Sequence, residues 1–180
     1  MAQVPQEAIW VVSFVLIEAA IIDGLKLKVP NWLTFHLLVG GLLFWSWYAG
    51  WAGFLLSFEG ALLGLAVLMP LYAIGGMGAG DVKLYAGFGA WVGSGIVLGA
   101  FAVSAVVGGV MALAMIAWSG DWARHFAMFH TICNEIVTIR NPTKLAEIAA
   151  ERKPRMTLLP YGIPLTVGSI AYCAWLGLMF

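Results

Sequence analysis

The stretches where charge is missing constrain this chain more than any residue it contains. No Asp, Glu, Lys or Arg falls between Lys28 and Glu59, between Glu59 and Asp81, between Lys83 and Asp121, or after Arg155. A helix needs about 20 apolar residues to cross a hydrocarbon core about 30 Å thick. These runs are continuous and do not alternate, so they read as helices rather than barrel strands. Only 10% of the chain is charged and 62% is hydrophobic, against about 25% charged in a soluble domain. That excludes disorder, which needs low hydrophobicity and high charge. Nine Lys/Arg balance nine Asp/Glu, so the basic surplus that drives phosphate binding is absent and no nucleic-acid partner is expected. Two cysteines cannot staple a fold of this size. The expected class is an all-α polytopic membrane protein, with residues 1–180 as a single membrane-embedded domain.

The charge gaps divide into six expected transmembrane helices. Ile9–Ile22 is the first, and it reaches sufficient length with Asp23 and Gly24. Trp32–Tyr48 and Phe54–Ile74 follow, separated by Ala49-Gly50-Trp51-Ala52-Gly53. The run from Leu84 to Gly120 is too long for one span, and Gly93-Ser94-Gly95 is a natural turn inside it. It yields a short span near Asp81–Val92 and another near Ile96–Trp118. Leu158–Phe180 is the last. The first span lacks a basic n-region and is not expected to be a cleaved signal peptide. With six spans, Lys26, Lys28, Lys83, Arg124, Arg140, Lys144, Arg152, Lys153 and Arg155 all fall on one side. The positive-inside rule makes that side cytoplasmic and puts both termini outside.

The cytoplasmic segment Asp121–Thr157 is the one sizeable polar stretch. Trp122, Phe126, Phe129, Cys133, Ile136 and Val137 recur at steps of three or four. That spacing predicts an amphipathic helix at the membrane interface. Asn141-Pro142 breaks it, and Thr143 can cap a second short helix through Arg152. Arg152-Lys153-Pro154-Arg155 is expected to anchor to anionic lipid headgroups. His125, His130 and Cys133 lie close on the first of these helices. They lack a further strong ligand and read as an interfacial face, so no metal site is expected.

Ionisable groups at membrane depth are candidates for function. Asp23 ends the first span and Asp81 begins the fourth, on the same side and at similar depth. Two carboxylates at a low-dielectric boundary do not both ionise easily. Such a pair can divide general-acid and general-base work on one water and titrates as a unit. The plainer alternative is two solvated helix-end carboxylates. Glu18 and Glu59 read as structural. Around Asp81 the chain runs Gly75-Gly76-Met77-Gly78-Ala79-Gly80-Asp81-Val82-Lys83-Leu84. Glycine there lets the backbone bend and an extended peptide approach. Helix packing through small residues gives the same pattern.

Gly78-Ala79-Gly80-Asp81 is a GxGD motif. Asp23 is followed by Gly24-Leu25-Lys26-Leu27-Lys28-Val29-Pro30-Asn31, an acid, basic residues, then Val-Pro-Asn. The two blocks in this order closely resemble the type IV prepilin peptidases, above all the small members associated with Tad/Flp-type pili. Leu159-Pro160-Tyr161-Gly162-Ile163-Pro164 looks like the family's Pro-aromatic-Gly segment. The resemblance covers nearly the whole chain. Presenilin-type proteases share GxGD, but they pair it with Tyr-Asp, and here Ile22 precedes Asp23.

The resemblance implies an intramembrane aspartyl endopeptidase of the bacterial inner membrane. Such an enzyme removes the short basic leader of a prepilin at the cytoplasmic face, with no cofactor or metal. Its partners are then a prepilin-like substrate and membrane lipid. Carried over by motif, Asp23 and Asp81 are the catalytic acids, and Gly78 and Gly80 shape the backbone beside the second. Lys83, Pro30 and Asn31 complete the motif blocks. Larger members carry paired Cys-x-x-Cys motifs of zinc-site type and methylate the new N-terminus. Cys133 and Cys173 stand alone here, so methyltransferase activity is not expected. The competing reading is a small transporter or channel using the two Asp as an ion or proton site. Its site belongs near the midplane rather than at the rim.

Overall fold

The computed structural model describes residues 4–139, 141–152 and 159–179. These residues form seven helices and, among them, no strand. In chain order the helices are α1 (Gln6–Lys26), α2 (Asn31–Ala73), α3 (Ala79–Val92), α4 (Ser94–Ser119), α5 (Trp122–Thr138), α6 (Pro142–Arg152) and α7 (Gly162–Trp175).

At 1.5 Å per residue, an unbroken α2 would measure about 65 Å, twice the thickness of a bilayer core. It is not unbroken. Ala49 (φ −134°, ψ 16°) and Gly50 (φ 61°, ψ −141°) leave helical geometry, within the small-residue segment where the sequence predicts a break. Gly50 supplies a positive φ that a side chain would resist. The long run after Lys83 divides at Gly93 (φ 76°), between α3 and α4, where the Gly-Ser-Gly turn is expected.

α3 packs chiefly against both halves of α2. Small residues allow the approach. Gly60 and Gly89 each occupy the space where a Cβ on the other would stand, and Gly64 meets the Tyr85 backbone in the same way. Such contacts are typical of apolar helices that associate through backbone proximity. α3 also ends inside the fold, where its last carbonyls lack intrahelical partners. Ser57 Oγ donates to Ala90 O at 2.7 Å, and Trp45 Nε1 donates to Trp91 O at 2.9 Å. Trp91 Nε1 returns a bond to Leu37 O at 2.8 Å. Both halves of α2 thus close the end of α3.

α7 lies against α1 and α4. Thr166 Oγ1 donates to Leu16 O at 2.8 Å, and Ser104 Oγ lies 3.3 Å from Leu165 O. The outward surface is apolar. Phe14 and Ile21 on α1 and Val106, Val110 and Leu113 on α4 are exposed. A helix that is apolar all round belongs in a core or in lipid. α1, α2 and α4 are long and apolar enough to cross a membrane. α3 and α7 have 14 residues each, about 21 Å of helix, shorter than a straight span.

α5 has no buried residue, and α6 buries Leu145 alone. The two helices form as the sequence predicts, with one correction. Asn141, not Thr143, caps α6: its Oδ1 accepts the Thr143 N–H at 3.0 Å. Pro142 then takes the first helical position, where a missing N–H costs nothing. Arg152 is paired within the fold. Its Nη2 donates to both carboxylate oxygens of Glu135 at 2.5 Å. Lys153, Pro154 and Arg155 lie outside the described residues, as do Arg140, Leu158 and Phe180.

Candidate active site

Asp23 stands in the last turn of α1 and Asp81 in the first turn of α3. The chain between α1 and α2 brings these turns together. α1 closes with Leu27 in left-handed geometry (φ 49°, ψ 37°), its N–H bonded to Asp23 O at 2.7 Å. Val29 then tucks under α3. A Cβ on Gly80 would stand 2.9 Å from Val29 O, so glycine at 80 lets the connection cross against the first turn of α3. Pro30 precedes α2, and Asn31 begins it. Lys83 Nζ donates to Asn31 Oδ1 at 3.0 Å, which ties the two motif blocks together across the crossing.

Each carboxylate meets a helix N-terminus. Asp81 Oδ2 accepts the Gly78 N–H at 3.3 Å, the reaching-back half of a capping box. A Cβ on Gly78 would stand 3.0 Å from that same oxygen. Asp23 Oδ2 accepts the Gly162 N–H at 2.8 Å. Gly162 opens α7, so its N–H is one of the donors a helix start leaves without an intrahelical partner. The peptide dipoles at the starts of α3 and α7 favour a negative charge on these oxygens, whereas the C-terminal end of α1 opposes one on Asp23. Asp23 and Asp81 are 4% and 7% exposed, so these contacts stand largely apart from bulk water.

Both acids line one cavity of about 230 Å³. The Gly75-Gly76-Met77-Gly78 loop lines it, together with Leu27 and Ile74. Tyr161 lines the wall beside them, within reach of the Asp81 charge. Ile132, Glu135 and Ile136 on α5 and Leu145, Ala149 and Arg152 on α6 line the cavity as well. Two carboxylates opening on one cavity can divide acid and base work on a single water.

Of the residues singled out from sequence, Asp23, Asp81 and Gly78 line the cavity. Gly80, Lys83, Pro30 and Asn31 instead form the crossing that holds the two turns together. Glu18 and Glu59 are exposed on α1 and α2. His130 Nδ1 accepts from Asn134 Nδ2 at 3.3 Å, away from the cavity lining, and Cys133 is exposed. Sequence reasoning missed the Gly162 N–H as a partner of Asp23. It also missed the contribution of α5 and α6 to the cavity. Periodicity did mark an apolar face on α5, but Phe126, Phe129 and Val137 of that face point outward.

Residues 10–113 match the type IV leader peptidase family. The chain is 36% identical over 111 residues to a prepilin leader peptidase/N-methyltransferase of Aeromonas hydrophila. It is 35% identical over 111 residues to the protein of that name in Aeromonas salmonicida (strain A449). Each match covers 58% of this chain and 38% of the relative. The chain therefore spans well under half the length of these curated relatives. No solved structure matches. The family match contains both Asp23 and Asp81 and stops before α5, so part of the cavity wall lies beyond it.

Proposed function

The chain belongs to the type IV leader peptidase family, and on that premise we propose that it is an intramembrane aspartyl endopeptidase. It removes the short basic leader of a prepilin-like protein, and Asp23 and Asp81 are its two acids. The observation that carries this reading is that these two buried carboxylates, from separate helices, open on one cavity. In the proposed step one carboxylate takes a proton from water. The resulting hydroxide attacks the scissile carbonyl carbon, while the protonated partner gives its proton to the carbonyl oxygen. Collapse of the tetrahedral adduct breaks the C–N bond: the departing amine takes up the proton held by the first acid, and one hydroxyl of the adduct returns its proton to the partner carboxylate as the product carboxyl forms. Gly162 and Gly78 orient the two carboxylates through their N–H groups, and Lys83 with Asn31 fixes the spacing of the turns.

The proposed topology has six membrane segments in one domain, counting the two halves of α2 and the shorter α3 and α7. It places the cavity, α5 and α6 at the cytoplasmic face of the bacterial inner membrane and both ends of the chain outside. The fall of all nine cations on one side under this topology supports it. The names of the curated relatives join a methyltransferase to the peptidase. The proposal for this chain concerns the peptidase half, the part its motifs address.

The test is cleavage of a co-expressed prepilin by wild type, Asp23→Asn and Asp81→Asn. Wild type is expected to shorten the substrate. Neither variant does so, although both accumulate in the membrane. Full activity in either variant would refute the dyad. An intact substrate beside abundant wild-type protein would favour the ion-site reading instead.

A further inference from the structure

We propose that Glu135 is the subsite for the positively charged leader, and that Arg152 is a resident cation the leader must displace. This rests on the peptidase reading above and deepens it. The cavity is lined by three carboxylates among the described residues, Asp23, Asp81 and Glu135, and one cation, Arg152. The two acids at α1 and α3 are held by backbone N–H groups. Glu135 differs, because its partner is a mobile type of group, a long side chain from another helix. Arg152 Nη2 donates to both Glu135 oxygens at 2.5 Å, with the two side chains 19% and 23% exposed. The position therefore already holds a guanidinium at the cavity wall, the same chemistry a basic leader brings.

The exchange is cheap in principle. A Lys or Arg of the substrate can take the place of Arg152 without leaving Glu135 as a buried charge without a partner, the outcome that makes breaking such a pair costly. The released Arg152 lies on α6, which has a single buried residue, so it can turn to water. The negative lining draws a cationic segment toward the cavity. Glu135 then sets which side of the substrate lies against α5, and the bond to be cut falls toward Asp23 and Asp81. In the absence of substrate, the Glu135–Arg152 pair ties α5 to α6 across the cavity wall.

The two partners are predicted to act with opposite sign, and that separates this role from a structural one. The probe is a purified prepilin, used with its basic leader and with the leader Lys and Arg changed to Gln. The full chain is reconstituted in vesicles, and kcat and KM are read separately. Glu135→Gln is expected to raise KM for the basic leader about tenfold, the loss for one charge-assisted hydrogen bond, with kcat kept. Its preference for basic over neutral leader falls toward one. Arg152→Gln is expected to lower KM and keep the preference, because the competing cation is gone. Equal shifts in both variants would mark a structural ion pair and overturn the proposal. So would an unchanged leader preference in Glu135→Gln. If Glu135→Gln does not accumulate, Arg152→Gln decides alone: a KM that rises or stays constant overturns the proposal. Cleavage by wild type that depends on Asp23 and Asp81 keeps the peptidase reading in either case. No cleavage by wild type removes both.

Discussion

α3 and α5 are helices of similar length at opposite extremes of burial, and both reach the same cavity. α3 is buried without a break from Leu84 to Val92. α5 has no buried residue at all. α3 brings Asp81, and its far end is closed by Ser57 and Trp45. α5 brings Ile132, Glu135 and Ile136, with one ion pair to α6 near the cavity. The contrast teaches a division of labour. On the proposed reading, Asp81 must hold its geometry within fractions of an ångström to do chemistry, and it stands on the most enclosed helix. The wall proposed to meet the substrate stands on a helix with little of its surface committed.

The largest effect is expected in the buried helix. Gly89→Leu places a side chain where the Gly60 backbone already lies. It is expected to abolish recovery of folded protein after detergent extraction, and recovery at wild-type yield would mean that α3 is not clamped as described. Asp81→Asn comes next. It should leave yield unchanged and cut the cleavage rate at least about 100-fold, as loss of a general acid or base does. Gly162→Ala is milder, because its Cβ would stand 3.0 Å from Asp23 Oδ2 and Cβ. A fall of about tenfold in kcat with little change in KM is the expectation, and a normal kcat would detach α7 from the positioning of Asp23. Trp45→Phe removes the donor to Trp91 O. It should lower stability by about 1 kcal/mol, read as a reduced melting temperature in detergent. Val137→Ser on α5, where the side chain is 78% exposed, is expected to change stability by under about 0.5 kcal/mol. A large loss there would show that α5 is covered in the working protein and would collapse the contrast with α3.

The same contrast explains what could be read in advance. Charge gaps and glycine turns locate α1, the break in α2, α3 and α4, because membrane depth excludes charge and Gly50 and Gly93 carry positive φ. The two Asp stand out because so few charges surround them. The Lys83–Asn31 bond joins two blocks that the sequence marks as motifs without indicating that they touch. Other features leave no side-chain signal. The donor to Asp23 is the backbone of Gly162, and every non-proline residue carries such a group. The cap of α6 went to Asn141 because Pro142 suits the first helical position, which the order of residues allows but does not force. Arg152 sits among basic neighbours that suggest a lipid anchor. Its pairing with Glu135 depends on how α5 and α6 fold back on each other. Local periodicity carries no information on that.

Asp23 and Asp81 are proposed to act as one unit on one water. A double-mutant cycle on the purified, reconstituted protein tests it most directly. Residual cleavage of a prepilin is followed under prolonged single-turnover conditions for Asp23→Asn, Asp81→Asn and the double variant. If the acids act together, removing the second costs almost nothing once the first is gone. All three variants then share about the same residual rate. A double variant whose loss is the product of the two single losses would contradict the account, as would wild-type activity in either single variant.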